Sequence, residues 1–203
     1  MKILIVSGFL GAGKTTFIKR LARNVDQRFA ILENEYGAAG IDGVRLGQNR
    51  QGTQKNVWEM TEQCICCIGK KDFAASVLTI ANVVDPEYLI VEPTGVGSLA
   101  RIIENLRQIE YERIQLLSPV TIVDVYSYRR YMAEYPELYQ DQIRSADTII
   151  VSKTEACQAE EKQRIQKFLQ EINSQAKIIT DYASTMTRED YQSLLLGSRY
   201  EKK

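Results

Sequence analysis

The stretch Lys2-Ile3-Leu4-Ile5-Val6-Ser7-Gly8-Phe9-Leu10-Gly11-Ala12-Gly13-Lys14-Thr15-Thr16 carries the reading of the fold. Its first half is an apolar run of β-forming residues. Its second half fits Gly-x-x-x-x-Gly-Lys-[Ser/Thr] with an additional glycine at position 11. A strand before the motif and a helix after it are the context in which this pattern cradles phosphate. The glycines let backbone N–H groups curl around a β-phosphate. Lys14 supplies a point charge to the β- and γ-phosphates, and Thr15 offers a hydroxyl to Mg²⁺. Gly8, Gly11, Ala12, Gly13, Lys14, Thr15 and Thr16 are thus the expected phosphate-binding residues.

Outward from this loop, short apolar runs recur. The expected strands are Lys2–Val6, Phe29–Glu33, Val57–Met60, Tyr88–Val91, Val120–Val123, Thr148–Val151 and Lys177–Ile179. Most are continuously apolar, as parallel strands covered on both faces are. Amphipathic stretches lie between them. Phe17, Ile18, Leu21 and Val25 share one helical face, and Ile165, Phe168, Leu169 and Ile172 share another. The fold class is therefore α/β, a mostly parallel central sheet flanked by helices, with ligands at the carboxyl ends of the strands. One domain spanning 1–203 is expected. A glycine-rich segment around 37–56 reads as a plain surface loop or as a mobile switch, and a short helix with a charged tail covers 187–203.

Composition narrows the chemistry. Among 203 residues there are 26 basic and 26 acidic side chains, and no histidine. Zero net charge argues against a nucleic-acid coat or a polybasic membrane binder. Absence of histidine excludes Ser-His and Cys-His nucleophile pairs and any imidazole metal ligand from this chain. The apolar run at Ile3–Val6 is too short for a signal-peptide core or membrane span, so a cytoplasmic protein is expected.

Three further motifs follow strands. Glu92-Pro93-Thr94-Gly95 follows Tyr88–Val91, placing Glu92 to hold a magnesium water and the Gly95 N–H to sense a γ-phosphate. Asp124 is the rival acidic residue. Ser152-Lys153-Thr154-Glu155 follows Thr148–Val151 at the place of the guanine-reading Asn-Lys-x-Asp motif. It keeps the lysine and a carboxylate but has Ser152 for Asn. A capped helix start is the plain alternative for the same residues. Finally, Cys64, Cys66 and Cys67 are crowded into four positions. Three neighbouring thiolates favour a divalent cation, and soft sulfur suits Zn²⁺, with Co²⁺ or Ni²⁺ also possible. Buried apolar cysteines or a redox pair are the other readings. A fourth ligand must come from a carboxylate, water or a partner. Cys157 stands alone and reads as packing or surface.

These motifs, with Glu33-Asn34-Glu35-Tyr36-Gly37 and Val123-Asp124, occur in the order seen in the CobW-like P-loop GTPases, relatives of UreG and HypB. The resemblance runs from the first strand to about Ile179. It implies a SIMIBI-type GTPase architecture and a slow, GTP-binding metallochaperone, cycling between GTP and GDP and delivering metal to a client metalloprotein or cofactor pathway. A nucleotide- or metal-dependent homodimer is a further expectation. The segment Asn34-Glu35-Tyr36-Gly37 matches a family switch, which makes Glu35 a candidate oxygen ligand beside Cys64, Cys66 and Cys67. Departures from the family pattern are Ala38, Gln63, Ser152 and no separate C-terminal domain in this sequence. No arginine finger is assigned by spacing, which fits slow turnover. Two other functions compete: a small-molecule kinase with a structural zinc and Asp124 as base, and a redox-sensitive nucleotide-binding regulator.

Overall fold

A computed structural model describes residues 1–27, 29–33, 45–46, 57–61 and 70–197. The expected switch segment around 37–56, apart from residues 45–46, lies outside the described residues, as do Glu35, Cys64, Cys66 and Cys67.

The described strands are β1 (Lys2–Gly8), β2 (Phe29–Glu33), β3 (Arg45–Leu46), β4 (Val57–Thr61), β5 (Tyr88–Glu92), β6 (Gln115–Leu116), β7 (Val120–Asp124), β8 (Thr148–Ser152) and β9 (Lys177–Ile179). They form one sheet of order β3-β4-β2-β5-β1-β7-β8-β9, with β6 paired to β1. The pairs among β4, β2, β5, β1, β7, β8 and β9 are all parallel. The seven strands expected from the sequence are these seven, each placed within a residue or two. Only β3, two residues long, runs antiparallel to its neighbour.

Alternation along β1 shows how the sheet is covered. Leu4 and Val6 belong to one core cluster, Ile3 and Ile5 to another. Successive side chains of a strand face opposite ways, so both faces are buried. On the first face α1 (Lys14–Asn24), α7 (Tyr182–Thr185) and α8 (Arg188–Leu194) contribute Phe17, Ile18, Leu21, Tyr182, Tyr191 and Leu194. The second face has two halves. Under β1, β2 and β5 lie α2 (Lys70–Val83) and α3 (Leu99–Arg107), bringing Val77, Ile80, Ile102 and Leu106. Under β7 and β8 lie α4 (Tyr128–Glu134), α5 (Pro136–Arg144) and α6 (Ala159–Ile172), bringing Tyr128, Tyr139, Ile143, Ile165 and Leu169. The expected helix faces at Phe17–Val25 and Ile165–Ile172 both pack inward, the latter with Phe168 and Ile172 partly buried.

Strand order changes direction at β1. The chain goes from β1 through α1 to β2 on one side, and from β5 through α3 to β7 on the other. A crevice at the carboxyl ends of the strands is expected at such a reversal, and the loop from Gly8 to Gly13 lies there.

Candidate functional site

Two glycines make the phosphate loop possible. A Cβ at Gly8 would meet the Ile122 carbonyl oxygen at 2.5 Å, so only glycine lets β1 turn out of the sheet against β7. Gly13 has φ 98° and is the N-cap of α1. That left-handed conformation favours a residue without Cβ and turns the chain directly into the helix. The first N–H groups of α1 have no intrahelical partner, which makes its start a natural anion site. Beneath the loop, Phe9 is 2% exposed. Its ring lies 4.6 Å from Tyr131, 5.9 Å from Tyr135 and 5.1 Å from Tyr139. The Tyr131 hydroxyl donates to the Leu10 carbonyl at 3.0 Å. The loop is thus anchored from below by α4 and α5.

Lys14 is buried, and its Nζ donates to the Phe9 carbonyl at 3.4 Å, across the curl of the loop. Thr15 Oγ1 lies 2.9 and 3.1 Å from the two carboxylate oxygens of Glu92. These groups are 77 residues apart in sequence and meet because β5 pairs with β1. Glu92 ends β5 and is 9% exposed. Gly95 follows three residues later, against the loop: a Cβ there would lie 2.3 Å from the Leu10 nitrogen. The hydroxyl of Thr15 and the carboxylate of Glu92 are hard oxygen donors of the kind Mg²⁺ takes, so the residues present fit a magnesium ion.

The next two strand ends are Asp124 on β7 and Ser152 on β8. Asp124 is 6% exposed. Its Oδ2 accepts from Lys153 Nζ at 2.7 Å and from Ser127 Oγ at 2.8 Å, and its Oδ1 accepts from the Tyr126 N–H at 2.9 Å. Burial pushes this carboxyl up, but those bonds and the Lys153 charge outweigh it and hold it below the usual carboxylate value. Asp124 therefore meets Lys153 of the expected base motif, while Glu92 meets Thr15. Asp124, the rival to Glu92 and the candidate kinase base, is bonded to Lys153 and Ser127 here. Ser152 Oγ donates to the Ala12 carbonyl at 2.6 Å, tying β8 to the phosphate loop. Lys153 has φ 61°, a costly conformation for a side-chain-bearing residue; the Asp124 pair holds it there. Glu155 is exposed. Beside it, Thr154 bonds Asp181, which pairs with Lys162 at 2.6 Å after β9. The Lys162 bond holds the Asp181 carboxyl below its ordinary value.

The contacts of Tyr131, Thr154, Lys162 and Asp181 are not foreseen from the sequence. The one signal available for Asp181 is its place after the last strand of the sheet. Among the described residues, no group of three or more Cys, Asp or Glu side chains is arranged to hold a metal ion.

A phosphate loop at the strand reversal, a threonine facing a strand-end carboxylate and a lysine motif beside the loop define a P-loop nucleotide-binding domain. Residues 2–180 match the CobW/HypB/UreG nucleotide-binding domain, and the chain belongs to that family. It is 30% identical over 178 residues to zinc chaperone YeiR of Escherichia coli (strain K12), a match covering 86% of this chain and 53% of that protein. It is 27% identical over 209 residues to zinc chaperone CobW of Pseudomonas aeruginosa, covering 88% and 56%. The fold is that of the Zn(II)-bound YjiA GTPase from E. coli, with TM-score 0.67 at 22% identity, covering 92% of this chain and 58% of that one. The chain spans about half the length of the curated relatives it matches.

Proposed function

We propose that this chain binds GTP with Mg²⁺, hydrolyses it slowly, and uses the cycle to hold and release a transition metal, zinc foremost, for a client metalloprotein. The observation that carries the nucleotide half is the meeting of Thr15 with Glu92 beside Lys14 at the end of β1. Backbone N–H groups of Gly11 to Thr16 bind phosphate. Lys14, now across the loop on the Phe9 carbonyl, moves its charge onto the β- and γ-phosphates. Thr15 would hold Mg²⁺ directly and Glu92 through water. The chemistry the ion would supply there is positive charge against the phosphates. Gly95 offers its N–H to the γ-phosphate. Lys153 and Glu155 read guanine, with Asp124 fixing the lysine.

Topology supports the metal half. Glu33 and Thr61 end β2 and β4 and are register partners, and Glu33 is also the register partner of Glu92. The chain leaves β2 two residues before Glu35 and leaves β4 three residues before Cys64. Both ligand-bearing segments therefore start from the strand edge that carries Glu92. Three thiols and one carboxylate suit tetrahedral Zn²⁺, and Co²⁺ or Ni²⁺ in the same geometry. The relatives' names, zinc chaperone among them, point the same way. A histidine-free chain completes its site with Glu35, water or a client's residue.

If GTP tightens metal binding, metal must tighten GTP binding by the same factor. The test is Zn²⁺ titration of the protein with Mg²⁺ and a non-hydrolysable GTP analogue, then with GDP, then with an ATP analogue. Metal should bind most tightly with the GTP analogue; equal affinity in all three sinks the gated carrier. Combined Cys64→Ser, Cys66→Ser and Cys67→Ser should abolish tight metal binding and leave nucleotide binding intact.

A further inference from the structure

The turn that carries Gly95 is held by a side chain from outside the nucleotide motifs. Gln142 lies in the last turn of α5 and is 1% exposed. Its Nε2 donates to the Gly95 carbonyl at 3.1 Å and to the Gly97 carbonyl at 2.9 Å. Two carbonyl acceptors at one atom require the NH₂ end of the amide there. The turn is itself closed by the Gly97 N–H on the Thr94 carbonyl at 3.0 Å.

The anchored end of Gln142 is fixed independently of the nucleotide loops. Its carbonyl accepts from Thr121 Oγ1 in β7 at 2.9 Å. The next carbonyl, that of Ile143, accepts from Asn173 Nδ2 at 2.8 Å, and the same amide reaches the Ala146 carbonyl at 2.9 Å. Asp141 Oδ2 accepts the Ala100 N–H at 3.3 Å, joining α5 to the start of α3. One end of the clamp is thus built into β7 and α6, and the other holds the turn between β5 and α3.

Glycine restricts its own backbone less than any other residue. The direction of the Gly95 N–H is then set by what holds the peptides on either side of it. On one side is the phosphate loop, so close that a Cβ would lie 2.9 Å from the Phe9 carbonyl carbon. On the other is Gln142. We propose that Gln142 is a positioning residue that fixes the Gly95 turn so that its N–H is aimed where a γ-phosphate arrives. The inference rests on the reading of Gly95 as the γ-phosphate contact.

A residue that only supports the fold would weaken every nucleotide alike. A residue that aims the Gly95 N–H affects only nucleotides with a γ-phosphate. The test measures affinity for a non-hydrolysable GTP analogue and for GDP, with Mg²⁺, in the wild type, in Gln142→Met and in Gln142→Glu. Methionine keeps length and removes both donors, and two net hydrogen bonds correspond to about a thirtyfold loss. Analogue affinity should fall by about that factor in Gln142→Met, while GDP affinity stays within about twofold. In Gln142→Glu the analogue-to-GDP ratio should fall at neutral pH and recover on acidification, because a protonated carboxyl regains one donor. An unchanged ratio in both variants, with a wild type that discriminates, overturns the role of Gln142 alone. A wild type that binds both nucleotides equally overturns the Gly95 reading and this inference with it. Should the variants not fold, the side-chain amide resonances of Gln142 in the wild type decide. They should shift between the GDP and analogue states, and identical shifts overturn the proposal.

Discussion

Ser152 shows how much one hydroxyl can hold. In the guanine-reading motif the position belongs to Asn; here the shorter side chain donates to the Ala12 carbonyl at 2.6 Å, and Ala12 is 3% exposed. Removing that donor leaves a buried carbonyl unsatisfied, at a cost of about 1–3 kcal/mol. Ser152→Ala should lower the unfolding free energy by about that amount in urea titrations and weaken GDP and ADP binding in similar proportion. Glu155→Ala should behave oppositely, leaving stability unchanged within about 0.5 kcal/mol because the side chain is exposed, while lowering the preference for guanine over adenine. A change in that preference from Ser152→Ala would show that the serine reads the base. The residue's identity in the motif was legible in the sequence; its partner was not, because a backbone carbonyl 140 residues away leaves no mark on side-chain pattern.

At the scale of elements, legibility divides by how local the signal is. Strands β1, β5, β7 and β8 read directly, because burial on both faces demands continuous apolar runs such as Leu89-Ile90-Val91. The phosphate loop reads directly because its whole pattern lies in nine consecutive residues. β3 and β6 have two residues each, too few to show a period. The paired helices α4 and α5 mix tyrosine with charge, and their role appears only through Phe9 and the two clamps, Tyr131 on Leu10 and Gln142 on Gly95. Strand-end carboxylates were legible as candidates, and the sheet order gives them different neighbours: Glu92 meets Thr15 and Asp124 meets Lys153. Asp124 pairs with Lys153 at 2.7 Å and so belongs to β7 and β8. Its pH dependence follows from the sign of the shift. The folded carboxyl titrates below its ordinary value of 3.8, so the unfolded chain binds more protons in that range. The stabilisation is present in full above the ordinary carboxylate range and is lost as pH falls through the folded value. Urea midpoints measured from about pH 6 down to about pH 3 should fall, and Asp124→Asn should fall less over the same range, since Asp124 no longer contributes.

The whole molecule is larger than its nucleotide motifs. The family match ends at residue 180, yet Tyr182, Tyr191, Leu194 and Leu195 lie in the same core cluster as Phe17 and Ile18 of α1. The Phe17 ring lies 5.6 Å from Tyr182 and 6.0 Å from Tyr191. Arg20, one turn on, donates to the Ala183 carbonyl at 2.6 Å. Helix α8 begins in a capping box, Thr187 with Asp190, which fixes where it starts. The helix that carries Lys14 and Thr15 is therefore backed by the last described elements of the chain. Four large buried side chains contribute about 1.5–3 kcal/mol each, a sum comparable with the roughly 5–15 kcal/mol that holds a whole domain folded. A chain ending at residue 180 should lose its cooperative thermal transition, even though every nucleotide motif is retained. The point variant Leu195→Ala, at a site 1% exposed, should lower stability by about 2–5 kcal/mol. It should weaken GDP binding only as far as the unfolded fraction grows. A residue-180 truncation that melts cooperatively at the temperature of the full chain would show that α7 and α8 merely decorate the sheet.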